Sequence, residues 1–164
     1  MKKELTEQEA LYKAEAYCST TEHCLSEVSA KLEQWGALTQ DIEKILARLQ
    51  EERFIDEQRY ACSFVRDKYR FNQWGRIKIA QQLKMKRIPE ALILQAMEEI
   101  DDAYYLSILT EQLERKARSV KARNDYEKNG KLIRFAAGRG YEMGEVMECL
   151  KKITNNDVDM EGSL

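Results

Sequence analysis

The sequence predicts an all-α protein built as three tandem three-helix repeats stacked into an elongated, curved array. Three observations predict it. Breakers are scarce, with seven Gly and one Pro in 164 residues. No segment alternates apolar and polar residues for long enough to make a half-buried strand. One apolar pattern also returns down the chain. Shifted by 51 residues, Val28, Leu32, Ala37, Ile42, Ile45, Leu46 and Leu49 fall on Ile79, Leu83, Ile88, Ile93, Ala96, Met97 and Ile100. Shifted by a further 53, they fall on Leu132, Ala136, Tyr141, Val146, Cys149, Leu150 and Ile153. A unit of about fifty residues with three helices cannot bury its apolar face alone, so neighbours must stack.

Unit one spans residues 1–53. Its helix starts are read from Thr6-Glu7-Gln8-Glu9 and Ser19-Thr20-Thr21-Glu22, which both fit a capping box, a hydroxyl taking an orphan amide with Glu three residues on. Leu25, Val28, Leu32 and Trp35, then Ile42, Ile45, Leu46 and Leu49, mark two amphipathic helices meeting at Gly36. Unit two spans 54–100. Asp56 is its N-cap, and Tyr60, Ala61, Phe64, Val65 and Tyr69 line one face, read as core.

The breaker between the last two helices of each unit reads Gly36, Arg87 and Gly140. A non-glycine residue is uncommon in the left-handed region, so Arg87 predicts either that strain or, in preference, a different ending led by Pro89 with Ile88 extended before it. Unit three spans 101–153, where Asp101 or Asp102 caps a helix carrying Tyr105, Ile108, Leu109, Leu113 and Ala117. Residues 154–164, TNNDVDMEGSL, lack periodicity and are expected to fray as a flexible tail.

Function classes narrow next. No apolar run approaches the roughly 18 residues of a membrane span, and Met1-Lys2-Lys3 opens nothing like a signal peptide, which predicts a cytoplasmic protein. Cys18, Cys24, Cys62 and Cys149 fall at no zinc spacing and are read as small buried hydrophobes; His23 beside Cys24 cannot complete a tetrahedral site, so no metal is expected. A single His and no Gly-rich phosphate loop leave no catalytic constellation, so neither enzyme activity nor a cofactor is predicted.

Charge is segregated. Residues 1–53 hold seven Lys/Arg against eleven Asp/Glu, whereas residues 66–87 hold eight basic residues against Asp67 alone. Residues 115–139 hold nine against Asp125 and Glu127. A merely solvated face interleaves both signs, so the two clusters are read as one basic strip. The candidate binding residues are Arg66, Lys68, Arg70, Arg76, Lys78, Lys84, Lys86, Arg87, Arg115, Arg118, Lys121, Arg123, Lys131, Arg134 and Arg139.

Residues 54–89, FIDEQRYACSFVRDKYRFNQWGRIKIAQQLKMKRIP, resemble the signature segment of the RecX family of regulatory proteins. The matching elements are Ile55-Asp56-Glu57, Tyr60-Ala61, Val65-Arg66, Gly75 and Leu83 to Ile88, and residues 130–150 resemble the family's third-unit close with its turn Arg139-Gly140-Tyr141. Asp56, Tyr60, Ala61, Phe64, Gly75, Leu83, Gly140 and Tyr141 are read as mainly structural motif residues. Arg87 departs from the family's usual turn glycine.

The resemblance implies a modulator of the RecA recombinase that lodges in the groove of the RecA–DNA filament and suppresses ATP hydrolysis and strand exchange. The implied partners are that filament and DNA, bound weakly or through the filament, by a monomeric chain with no membrane attachment. Two other readings stand beside it: a non-specific DNA-binding helical module acting without RecA, and a structural helical-repeat adaptor. A DNA binder loses affinity steeply with salt, whereas an apolar adaptor does not.

Overall fold

The structure, a computed structural model, describes residues 4–162, with side chains described up to Thr154. The described residues form nine helices: α1 (Glu7–Thr20), α2 (Leu25–Trp35), α3 (Thr39–Glu51), α4 (Glu57–Arg70), α5 (Arg76–Met85), α6 (Glu90–Met97), α7 (Asp102–Ser119), α8 (Asp125–Gly138) and α9 (Met143–Gly162). Extended pairing among these residues is limited to an isolated bridge between Leu5 and Ala37. The chain is therefore an all-α repeat array.

Local chemistry accounts for most helix starts. Thr6 caps α1 by accepting from the Glu9 amide at 3.2 Å. Asp56 accepts from the Arg59 amide at 3.0 Å, and Asp101 from those of Ala103 and Tyr104. The second expected capping box is corrected. Ser19 and Thr20 lie in the last turn of α1, their hydroxyls donating back to the carbonyls of Glu15 and Tyr17 at 2.8 Å. Instead α2 opens at Cys24, whose amide donates to the Glu27 carboxylate at 3.2 Å. The backbone also stays helical to Gly162, beyond Thr154 where the missing periodicity predicted fraying: no proline interrupts the helix there, and propagation adds one bond per residue. Ser163 and Leu164 of that tail lie outside the described residues.

The repeat is written into the backbone. Ala37, Ile88 and Tyr141 donate to the carbonyls of Leu32, Leu83 and Ala136, and Gly36, Arg87 and Gly140 donate to those of Glu33, Lys84 and Ala137. Both sets keep the offsets of 51 and 53. Leu32, Leu83 and Ala136 are all fully buried or nearly so, as the apolar pattern predicts.

The expectation preferred for Arg87 is overturned. Its φ is 62°, left-handed like Gly36 (91°) and Gly140 (93°). Two turn bonds and burial of Ile88 outweigh a left-handed penalty of roughly 1–2 kcal/mol. Arg87→Gly is expected to raise stability by about 1 kcal/mol, read as a higher urea midpoint at unchanged m-value.

By packing density the chain divides into two compact units. The first comprises the chain up to Phe64 together with Leu83–Ala96. Its helices α1, α2 and α3 pack on one another around Leu11, Ala14, Val28, Leu32, Ile45 and Leu49. His23 stacks on Tyr17 with ring centroids 3.8 Å apart. The start of α2 meets the Arg87 turn, where Ser26 Oγ donates to the Lys86 carbonyl at 2.8 Å and Lys86 Nζ lies 3.3 Å from Glu27.

The second unit comprises Val65–Gln82 and the chain from Met97 on. Here α7, α8 and α9 pack mutually. The first amides of α5 are satisfied from outside the helix: Gly75 donates to the Arg139 carbonyl at 2.8 Å, Arg76 to Tyr105 Oη at 3.0 Å, and Ile77 to the Gly140 carbonyl at 3.0 Å. This contact repeats the one at Ser26, since Cys24 and Ser26 fall on Gly75 and Ile77 at an offset of 51. Two glycines let backbone meet backbone in the second unit. In the first, Cys24 and Arg87 carry side chains and a serine hydroxyl spans the gap.

Candidate nucleic-acid interface

A cation that faces a carboxylate is largely neutralised, whereas one held against an aromatic face keeps its charge, because the ring contributes a quadrupole and no net charge. This distinction sorts the candidate strip. Arg66 pairs with Glu99 at 3.2 Å, Arg115 with Glu111 at 2.9 Å, and Lys86 with Glu27. Arg123 and Lys131 share Glu127, and Lys131 also donates to the Lys121 carbonyl. Arg76 is enclosed most. Its guanidinium lies 4.1 Å from the Tyr105 ring, pairs with Glu142 at 2.8 Å and also pairs with Asp102. Burial favours a neutral guanidine there, but the hydrogen bond and charge of Glu142 outweigh it and hold Arg76 ionised. Tyr105 donates to Glu142 as well, and burial pushes its pKa well up, so it stays a donor.

Other cations meet rings. Lys68 Nζ and Lys78 Nζ lie 4.9 and 4.5 Å from the Trp74 centroid. Lys116 Nζ and the Arg139 guanidinium lie 5.2 and 5.0 Å from that of Phe135. The two sets adjoin, because Gly75 donates to the Arg139 carbonyl and Lys78 abuts Gly140. Arg70 sits over Tyr69 and beside Tyr104, its Nε donating to Tyr69 Oη at 3.2 Å. Arg118 donates to the Glu114 carbonyl, and Lys121 and Arg134 are exposed. Lys84, Lys86 and Arg87 belong to the first unit, the first and last of them exposed.

The second unit thus gathers Lys78, Lys116 and Arg139 around two rings, with Lys68 also near Trp74, a face suited to phosphate oxygens, which need positive charge and reach. Lys116, though within the second basic cluster, is absent from the candidate binding residues named from the sequence, as are Trp74 and Phe135. A local signal existed for one pair: Phe135 and Arg139, at the end of α8, stand four residues apart, a spacing that puts an aromatic and a cation on one helical face.

Of the motif residues, Gly75, Gly140 and Tyr141 lie in the second unit with this face, and Asp56, Tyr60, Ala61, Phe64 and Leu83 in the first. Tyr60, Ala61, Leu83 and Tyr141 are buried and Phe64 half-buried. Tyr141 donates to the Gln73 carbonyl at 3.0 Å and accepts from Gln112 Nε2 at 2.7 Å. Burial holds its hydroxyl pKa up at about 12. Among the described residues no helix is long and apolar enough to cross a membrane.

Known proteins place this arrangement. Against solved structures the fold matches a RecX from Lactobacillus salivarius with a TM-score of 0.81 at 19% identity, over 90% of this chain and 96% of that one. A second crystal structure, of a regulatory protein RecX, matches with a TM-score of 0.78 at 22% identity, over 89% and 73%. In sequence, the regulatory protein RecX of Vibrio parahaemolyticus is 35% identical over 80% of this chain and 83% of its own length. That of Chlorobaculum tepidum is 30% identical over 82% of each. Residues 56–97 match the family description "RecX, second three-helix domain" and residues 102–150 "RecX, third three-helix domain". Two domain matches covering more than half of the sequence, joined to relatives alike over most of their length, make this chain a member of the RecX family of regulatory proteins.

Proposed function

We propose that the chain is a regulator that binds the filament formed by the RecA recombinase on DNA and inhibits its ATP hydrolysis and strand exchange, acting as a cytoplasmic monomer. The observation that carries this reading, within a chain of net charge −2, is the cluster of Lys78, Lys116 and Arg139 held on aromatic rings. Local fields govern docking, and an acidic first repeat limits indiscriminate binding to DNA. The same rings favour a second reading, a DNA-binding module independent of RecA, since aromatic side chains among cations suit exposed bases.

The test is suppression of RecA's DNA-dependent ATP hydrolysis at fixed, moderate salt. Reversing Lys78, Lys116 and Arg139 together to Glu is expected to leave helical content intact and to weaken filament association by a factor of ten or more. Three lost charge-assisted contacts exceed the roughly 1.4 kcal/mol that a tenfold change requires. Changing Glu7, Glu15 and Glu33 to Lys is the control and should not weaken it. Equal suppression by the wild type and the basic-face variant would remove that face from the mechanism. Salt-sensitive DNA binding without any effect on RecA would support the second reading.

A further inference from the structure

Beneath the Phe135 ring face lies an open cleft of about 170 Å³, lined by Gln73, Gln112, Arg115, Lys116, Phe135 and Arg139, with Ser119 at its edge. Its size is that of one planar heterocycle, below the roughly 300–1,000 Å³ of pockets for drug-sized ligands. One wall is chemically incomplete. Gln112 is only 5% exposed, its Nε2 donates to Tyr141 Oη, and its Oε1 is buried with no hydrogen-bond partner among the described residues. Native interiors rarely leave such an acceptor unmatched. Tyr141 cannot turn its hydroxyl to this oxygen without abandoning the Gln73 carbonyl.

The other walls define what would complete it. Lys116 and Arg139 call for an anion, Phe135 offers a ring, and Gln112 Oε1 calls for an N–H donor. An acidic peptide satisfies the cations and offers N–H groups, but brings a ring to the wall only where it carries an aromatic side chain. A nucleotide brings all three: a phosphate, a planar base, and an exocyclic amine or imino N–H on the base edge. The carbonyl is covered, so an entering base must displace a side chain from it. Lys116 and Arg139 line the cleft with long chains able to swing aside.

We infer that this cleft receives a single unstacked base of a DNA strand, its edge donating to Gln112 Oε1, its face toward Phe135 and its flanking phosphates on Lys116 and Arg139. The inference deepens the DNA contact proposed above and rests on it, adding that the chain reads bases as well as phosphates. Its readout is separate from recombinase inhibition, so either can fail alone.

The test uses the full chain alone, titrated by fluorescence anisotropy against two short single strands of equal phosphate number, one of deoxyadenosine and one abasic. The wild type is expected to bind the base-bearing strand about tenfold more tightly. Gln112→Met and Phe135→Leu are each expected to bring that ratio toward one, read within each variant so that a general loss of affinity does not mimic it. Phe135→Leu leaves the Gln112–Tyr141 hydrogen bond in place and guards against a mere folding defect, which circular dichroism checks. Equal affinity of the wild type for both strands would reduce the cleft to charge alone, as an acidic protein partner would use it, and overturn the inference. Binding to neither strand, or a ratio unchanged in both variants, would overturn it too.

Discussion

Gly75→Ala is expected to destabilise the protein by about 3 kcal/mol or more, among the largest effects available to a single methyl group. A Cβ at this position would overlap the carbonyl carbon and oxygen of Gly140 and the amide nitrogen of Tyr141. All three are backbone atoms, so no rotamer change relieves the overlap. The α5 start must withdraw instead, and the hydrogen bonds from Gly75 to Arg139 and from Ile77 to Gly140 stretch with it. Urea unfolding followed by circular dichroism measures the loss. Gly144→Ala is the control, because a Cβ there meets nothing within 4 Å and the residue lies in α9, where alanine is favoured by about 0.5–1 kcal/mol. Equal stability of the Gly75 variant and the wild type would show that this backbone approach does not hold the second unit together. A functional consequence follows, since the same approach sets Lys78 beside Arg139. On the proposed function, a variant that survives folding is expected to suppress RecA less.

Leu83→Ala is expected to cost about 2–5 kcal/mol. Leu83 is fully buried, and its carbonyl accepts from Ile88 in the Arg87 turn, so truncation leaves a cavity beneath a strained residue. Leu94→Ala, at a site about two-thirds exposed, should change stability by no more than roughly 0.5 kcal/mol. Denaturant midpoints for the pair separate burial from simple loss of leucine. Equal midpoints for the two variants would contradict the equivalence of Leu32, Leu83 and Ala136 on which the repeat rests.

Much of the fold was legible because its causes are local. Thr6, Asp56 and Asp101 cap helices through amides two or three residues away. The apolar spacing that recurs at 51 and 53 residues is itself the buried stripe, so periodicity alone determined the class, the repeat and the core positions. Where local rules misled, the deciding partner stood elsewhere or the choice lay between two local bonds. Ser19 could cap a new helix or bond back to Glu15, and the capping pair of Cys24 and Glu27 took the role. Arg87 accepts a left-handed backbone because Ile88 is buried against the core, a gain invisible in the dipeptide before Pro89.

For the candidate site the division is sharper. The sequence by itself determined where positive charge is dense and that its first repeat is acidic, since charge density is a property of composition. Only the tertiary structure decided which of those charges meet a carboxylate and which meet a ring. Arg76 meets Glu142, Arg66 meets Glu99, and Lys116 meets Phe135 across chain separations that no local pattern encodes. The same holds for Gln112, a residue with nothing in its sequence neighbourhood to mark it. Its unmatched carbonyl arises because Tyr141 and Gln73, 29 and 39 residues away, occupy the hydrogen bonds around it. Hydrogen bonds and ion pairs act over a few ångströms, so their partners become defined only once folding has brought distant helices together.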